Sequence, residues 1–278
     1  MASARQFLPA AVLLVLALGT PALGQPPGGR GDQAPPGRGG PPGGRGAQPA
    51  RTARAAAPVD LTGYWVSVVT EDWRWRMVTP ARGDFAGVPL NAAGRKLGLA
   101  WDPAQDAIAG EQCKAFGAPA LMRMPGRLHI TWQDDQTLKV EADSGTQTRL
   151  LRFGPPSADR GPVSWQGYSV AQWESPMRGS GPPDNLPIAL NPREGTRGRA
   201  LEVVTTNLRA GYLRRNGAPY SSRTTLREFF DVFTVGQDPW FTVTTIVEDP
   251  EYLTTPFVTS SDFKRQADAT GWSPTGCQ

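Results

Sequence analysis

The sequence predicts an all-β domain, an antiparallel barrel of about eight to nine strands with one or two short helices, preceded by a signal peptide and a disordered linker. Two observations point there. Beyond Pro58, apolar and polar residues alternate at period two in one segment after another. A helical pattern occurs in one place, between the first strand and the second. Many successive strands without interleaved helices call for a sheet that closes on itself or two that pack face to face. The body from Pro58 onward, about 221 residues, can bury a sizeable core.

The residues before that body read as an address and a tether. MASARQFLPAAVLLVLALGTPALG carries a basic residue, a short apolar run and the small-residue pattern Ala22-Leu23-Gly24, so residues 1–24 are expected to be a secretory signal peptide cleaved before Gln25. The run between Arg5 and Pro21 holds about 15 apolar residues, fewer than the roughly 20 that span a bilayer. No transmembrane segment is expected, and no Cys lies near the cleavage site to take a lipid. Residues 25–57 contain no aromatic and no branched aliphatic side chain, so nothing there offsets the ordering entropy of a fold. A disordered Pro/Gly/Arg-rich linker follows. Within it, Arg30-Gly31-Asp32 and Arg38-Gly39-Gly40 are read as products of composition rather than adhesion or RNA motifs.

The formal net charge is +4. Six basic residues (Arg5, Arg30, Arg38, Arg45, Arg51, Arg54) and one acid (Asp32) lie before Pro58, which leaves the body at about −1. A neutral body offers phosphates no clustered Lys and Arg, so nucleic acid is not an expected partner. Only Cys113 and Cys277 are present. In an exported, periplasmic or secreted chain a single pair most simply forms a disulfide, here one that pins the carboxyl-terminal tail to the body.

Taken in order, the first strand runs from Leu61 to about Met77, long enough to need a bend or bulge. It puts Trp65, Val69, Trp73, Trp75 and Met77 on one side. Next, RLHITWQDDQTLKVEAD reads as a hairpin. A three-residue connection through Asp134, Asp135 and Gln136 sets Trp132 opposite Leu138, Ile130 opposite Val140 and Leu128 opposite Ala142, an apolar face. The same register makes His129 face Glu141, Arg127 face Asp143 and Thr131 face Lys139. Further strands are expected at Thr146 to Phe153, Val163 to Trp173, Ala200 to Leu208, Arg223 to Thr234, Trp240 to Glu248 and Phe257 to Arg265. The helix is expected after Asn91 as N-cap, burying Leu97, Leu99 and Trp101, with a second short turn in DPAQDAIAG. Ser175 to Arg199 is a long Pro/Gly-rich stretch without periodicity, expected to be a disordered loop or a lid.

Between a sandwich and a barrel, Asp60-Leu61-Thr62-Gly63-Tyr64-Trp65 decides: it is similar to the Gly-x-Trp start of lipocalin-like barrels, in which the Trp plugs the closed end. A second resemblance spans Asp60 to Cys277. Glu111-Gln112-Cys113-Lys114 with Gly117, Pro119 and Met122, then Trp165 to Glu174, Leu201 to Thr206, Thr225 to Phe230, Glu248 to Tyr252 with Pro256, and a late Cys resemble a widespread family of exported bacterial proteins without an assigned activity. The resemblance implies compartment and fold, and departs at the Ser175 to Arg199 insertion.

Chemistry is sought on the inner faces of the strands, because a barrel turns one face of each toward a central cavity. If the polar face of the hairpin points inward, His129, Glu141 and Arg149 line that cavity, and His129 beside a carboxylate is a candidate general base or acid. If that face is solvated, His129 and Glu141 are a cross-strand surface pair. Glu228 lies between Leu226 and Phe230 on an apolar strand face, a candidate catalytic carboxylate or the partner of Arg149 or Arg227. Trp73 and Trp75, next to Glu71 and Asp72, together with Arg149 and Tyr168, are candidate ligand-binding residues. Asp249-Pro250 reads as a structural bend. A single His cannot build a multi-His metal centre, and no phosphate-binding or nucleotide fingerprint occurs, so neither metal nor cofactor is expected.

The nine Trp residues, about one per 25 residues of the body, suit a flat ligand. The sequence therefore predicts an exported small-molecule-binding protein that holds a hydrophobic or ring-containing ligand, glycans included, in a barrel cavity. A cofactor-free lyase, isomerase or hydrolase using His129 is the alternative, and an envelope structural or interaction module the third reading.

Overall fold

The computed structural model describes residues 51–174 and 200–277. The expected signal peptide, residues 25–50 of the expected linker and the Ser175 to Arg199 stretch, expected to be a disordered loop or a lid, lie outside the described residues. Nine strands close a barrel: β1 (Gly63–Val68), β2 (Arg127–Asp134), β3 (Thr137–Ala142), β4 (Gln147–Phe153), β5 (Tyr168–Trp173), β6 (Ala200–Thr206), β9 (Thr225–Val235), β10 (Asp238–Glu248) and β11 (Phe257–Gln266). Each pairs with its neighbour in this order, and β11 returns to β1. Strands alternating in direction cannot close a ring of odd number, so one neighbouring pair must be parallel. That pair is β4 and β5, with Leu151 opposite Ser169, and residues 154–167 form the crossover that a parallel pair needs.

The hairpin register agrees with the expected one: Leu128 faces Ala142, Ile130 faces Val140, Trp132 faces Leu138 and His129 faces Glu141. The turn itself is different. Asp134 pairs with Thr137, so the loop is the two residues Asp135 and Gln136, and a bulge between Trp132 and Asp134 restores the apolar register. The first strand is also shorter than expected. It stops at Val68, Asp72 takes a left-handed conformation (φ 51°), and Trp73–Arg76 form a single helical turn, α1.

The inner face is filled and, apart from a few buried polar side chains, apolar. Trp65, Ile130, Val140, Leu151, Leu201, Val203, Phe230, Phe241 and Val243 are all 0 % exposed, a state that leaves no water-sized void against any of them. Trp65 donates its indole N–H to the Leu61 carbonyl (2.9 Å) and meets Phe241 edge-on at 4.6 Å. At one mouth, Trp132, Phe153 and Trp173 form a row of rings 5.4–5.5 Å apart. Residues upstream of Pro58 cover this mouth: Trp173 donates to the Ala53 carbonyl (3.0 Å), and the Ala53 and Arg54 amides donate to Gln136 Oε1 and the Asp135 carbonyl.

The other mouth carries the long connections. Residues 69–126, between β1 and β2, contain α1, α2 (Ala92–Ala100), α3 (Pro103–Ile108), a 3₁₀ turn (Gln112–Phe116) and α4 (Ala118–Leu121). Between β6 and β9 lies a hairpin that was not expected, β7 (Gly211–Arg214) and β8 (Ala218–Tyr220), turning at Asn216-Gly217. These pieces form a cap. Phe85, Val88, Leu90, Leu213 and Tyr220 pack with Leu226, Val247 and Phe257 from the strand ends in a second core. Asp249, placed at the expected bend, ties cap to barrel: its carboxylate accepts from the Ser221 amide and hydroxyl, Thr224 Oγ1 and the Glu251 amide at 2.5–3.1 Å.

Helix α2 has the expected N-cap, Asn91 Oδ1 accepting from the Gly94 amide at 2.9 Å. Its buried face is not the expected one. Leu97 and Leu99 are 46 % and 56 % exposed, while Gly94 and Gly98 face inward. The helix approaches so closely that a methyl on Gly94 would lie 2.8 Å from the Tyr252 carbonyl, and one on Gly98 2.6 Å from Phe85 Cζ. Gly98→Val is therefore expected to overpack this contact and lower stability by about 1–3 kcal/mol in urea unfolding, against a neutral effect at exposed Leu99→Ala.

The expected disulfide is present: Cys113 and Cys277 are bonded, with Cα atoms 5.1 Å apart. No described helix is long and apolar enough to cross a membrane.

Candidate functional site

The sequence-predicted residues do not converge. His129 and Glu141 sit on the outer face of the hairpin, Nδ1 to Oε2 3.2 Å, and Lys139 bridges the same carboxylate at 3.0 Å. The imidazole stacks on Tyr64 (4.1 Å, 7°) and meets Trp272 edge-on at 6.1 Å. It is thus a cross-strand pair that seats the carboxyl-terminal tail. Arg149 and Glu228 lie inside the barrel as a bidentate ion pair, both side chains 0 % exposed. Nη1 reaches Oε1 at 3.0 Å and Nη2 reaches Oε2 at 2.5 Å, and Nη2 also donates to Thr205 Oγ1 at 3.3 Å. The strand parity explains the split. Arg149 faces Val140 across β3 and β4, so it shares the inner face with the apolar residues, whereas Glu141 faces Thr148 on the outside.

Tyr168 is buried at the start of β5, where its hydroxyl accepts from the Ser157 amide (3.1 Å) and the Arg152 guanidinium covers its ring. Trp73 is largely exposed. Trp75 lies between the Arg74 and Arg214 guanidinium groups, 5.6 and 5.1 Å from its ring. Glu71 and Asp72 are not free to grip a ligand: Glu71 is held by Arg76 and Asp72 by Arg123.

A different constellation assembles in the cap. Helix α3 begins with Asp102 as N-cap and Pro103 in its first turn, an arrangement that presents Asp106 one turn later. The Asp106 carboxylate accepts from Trp101 Nε1 (2.9 Å), Lys114 Nζ (2.8 Å) and the Tyr212 hydroxyl (2.9 Å). Lys114 also pairs with Glu111 at 2.5 Å, and Glu111 is held in turn by Arg209. Tyr212 comes from β7, and Gly217 in the β7–β8 turn, at φ 82°, lets the hairpin backbone lie directly on the Trp101 ring. Gly211 plays the same part beside Tyr220, since a methyl there would stand 2.7 Å from the phenol oxygen.

These residues wall two adjoining clefts. One, of about 310 Å³, is lined by Leu97, Trp101, Asp106, Lys114, Tyr212 and Tyr220 among others. The second, of about 490 Å³, lies on the far side of Trp101, Asp106 and Tyr212, toward Phe116 and Thr79. The floor residue Tyr220 is fully buried with its hydroxyl unpartnered. The larger burial cost to the Asp106 carboxylate is outweighed by its three donors, which hold it below the usual carboxylate range. Burial and the neighbouring Asp106 push the Tyr212 phenol up to about 12. Lys114, although partly desolvated, is pushed up by Asp106 and Glu111. At neutral pH the cluster is a fixed carboxylate, a fixed ammonium and a neutral phenol, suited to hold polar groups rather than to move a proton. Asp106's contribution to stability, with a lowered folded value, is present above the ordinary carboxylate range and is lost only as pH falls through that lowered value.

Sequence reading missed this site because the residue that completes it is remote: Tyr212 is 106 positions from Asp106. One signal was present, the Asn216-Gly217 hairpin dipeptide between Tyr212-Leu213 and Tyr220. No family model, curated protein or solved structure matches the chain.

Proposed function

We propose that this protein is an exported, tethered β-barrel that binds a small ring-containing ligand, and that the ligand sits in the cap cleft against Trp101 and Tyr212 rather than inside the barrel. The observation that carries the reading is the cleft itself. Trp101, Tyr212, Tyr220 and Leu97 give it apolar walls, and Asp106 and Lys114 converge at one edge as fixed polar contacts. A volume of about 310 Å³ is in the range of small-molecule clefts, at the end of the barrel where the long connections gather. Leu97, which lines the cleft, has a reason to be exposed if a ligand covers it.

The barrel interior supports this relocation, because its side chains and the Arg149–Glu228 pair leave no room beside them. The enzyme alternative loses its basis in the same way: His129 and Glu228 lie on opposite faces of the wall. Membership of the exported bacterial family belongs to the proposal, as does the periplasmic or secreted location, supported by the disulfide.

Native mass spectrometry of protein purified from its own envelope, followed by titration of the recovered compound with tryptophan fluorescence, tests the reading. Trp101→Ala is expected to weaken binding at least tenfold, about 1.4 kcal/mol. Leu97→Arg, a change at an exposed position, is expected to do the same without loss of stability. His129→Ala should leave affinity unchanged. Binding that survives both cleft variants sinks the proposal.

A further inference from the structure

Beside α1 the cap buries three guanidinium groups, of which two are ion-paired. Arg76, Arg123 and Arg214 are each more than nine-tenths buried, at 7 %, 6 % and 4 % exposure. Arg76 is paired with Glu71 and also donates to the Arg123 carbonyl and Ser67 Oγ at 3.0 and 3.1 Å. Arg123 donates through Nη1 to Asp72 at 2.8 Å. Arg214 has no carboxylate partner among the described residues, and its Nη1 donates to the Ala86 carbonyl at 2.6 Å.

Three donors are left over: Arg123 Nη2, Arg214 Nε and Trp75 Nε1 are buried without a hydrogen-bond partner. All three residues line one void of about 30 Å³, floored by Ala120 and Leu213. The guanidinium faces are already occupied, Arg214 lying over Trp75 and Phe257 at 5.1 and 5.9 Å and Arg123 over Phe257 at 5.5 Å. Stacking takes the faces and leaves the N–H edges for an acceptor in plane.

A water in the void would meet the hydrogen-bonding need but place no negative charge against Arg214, whose nearest acids, Asp72 and Asp84, act from beyond ion-pair distance. A buried charge without a counter-charge is strongly unfavourable, and an uncompensated guanidinium cannot shed its proton near neutral pH. We infer that the void between Arg123, Arg214 and Trp75 is a binding site for one small monovalent anion, of the size of chloride or of a carboxylate group. Burial and the nearby Arg123 push the Arg214 guanidinium down to about 10, with Asp72 and Asp84 opposing, the direction expected where a counter-ion belongs. This site is separate from the proposed ligand cleft, so either can fail alone.

The test is thermal unfolding of the whole mature chain in gluconate buffer at constant ionic strength, titrated with chloride, bromide and formate. The melting temperature is expected to rise by about 3 °C or more at saturation. Arg214→Met should abolish the rise, and the exposed neighbour change Arg74→Met should leave it. A response to halide and formate alike marks a free-ion site, and a response to formate alone marks a seat for a ligand's carboxylate. A bromide-soaked crystal should show anomalous density within hydrogen-bond reach of Arg214 Nε and Trp75 Nε1, a result that does not depend on the variant folding. Superimposable anion responses of wild type and Arg214→Met, or water alone in the bromide-soaked site, would overturn the inference.

Discussion

Replacing Glu228 alone with Leu is expected to lower stability by about 3–5 kcal/mol, and Arg149→Met alone by a similar amount, whereas the Arg149→Met/Glu228→Leu double variant should recover most of the loss. Each single change strands a full charge where both side chains are 0 % exposed. The double change removes both charges and leaves apolar stems among Val140, Val203 and Leu226, the neighbours that share the inner face. Arg149 Nε already lacks a partner, so its guanidinium is under-satisfied even in the wild type. Thr205 loses a donor in the double variant but keeps Ser169, whose hydroxyl lies 2.7 Å away. Urea midpoints of the four proteins give the coupling directly. Additive losses, with the double variant as unstable as the sum of the singles, would remove the pair from its role as a self-neutralising plug. The same variants separate barrel from cleft, because a ligand held at Trp101 should still bind the stable double variant.

That pair also marks where period-two reasoning stopped. Alternation along β2 and β3 placed His129 with Glu141 and Ile130 with Val140, and the structure has these pairings. Alternation does not say which of two faces is inside when a strand carries charge on the apolar side, as β4 does at Arg149. Only the β3–β4 turn, with Gly145 and Thr146 both at positive φ, fixes the register that sets Arg149 opposite Val140 and so sends it inward. Helix α2 failed for the opposite reason. Its contact surface is made of glycine, which carries no hydrophobic signal, so the periodic Leu97 and Leu99 were assigned to the core when close backbone approach, not apolar area, decides the packing. The barrel was legible because its period repeats over many strands. The cleft was not, because Tyr212 joins the local Trp101, Asp106 and Lys114 cluster only once β7 folds back onto it, and no local spacing encodes that meeting.

Opening the disulfide, by reduction or by Cys113→Ser, is expected to cost about 3–5 kcal/mol, the second large effect. The bond closes a loop of 164 positions, so it removes much freedom from the unfolded chain. It also fastens a strap. From the end of β11 the chain runs back along the outside of the β1–β2 seam, placing Trp272 against Tyr64 and His129. At the cap end the Thr275 amide donates to the Asp143 carbonyl (2.9 Å), and Thr146 donates to the Thr275 carbonyl (2.8 Å). Three hydrogen bonds at Thr275 and two edge-on contacts of the Trp272 ring are too few to hold a terminal segment ordered once its covalent anchor is gone. Reduction should therefore change Trp272 fluorescence and raise the rate at which diethyl pyrocarbonate modifies His129, whose ring the strap covers. Both readouts should move together and before global unfolding. An unchanged midpoint with unchanged His129 reactivity would mean that the strap is held by its side chains, and that the only histidine is protected by its stack on Tyr64 alone.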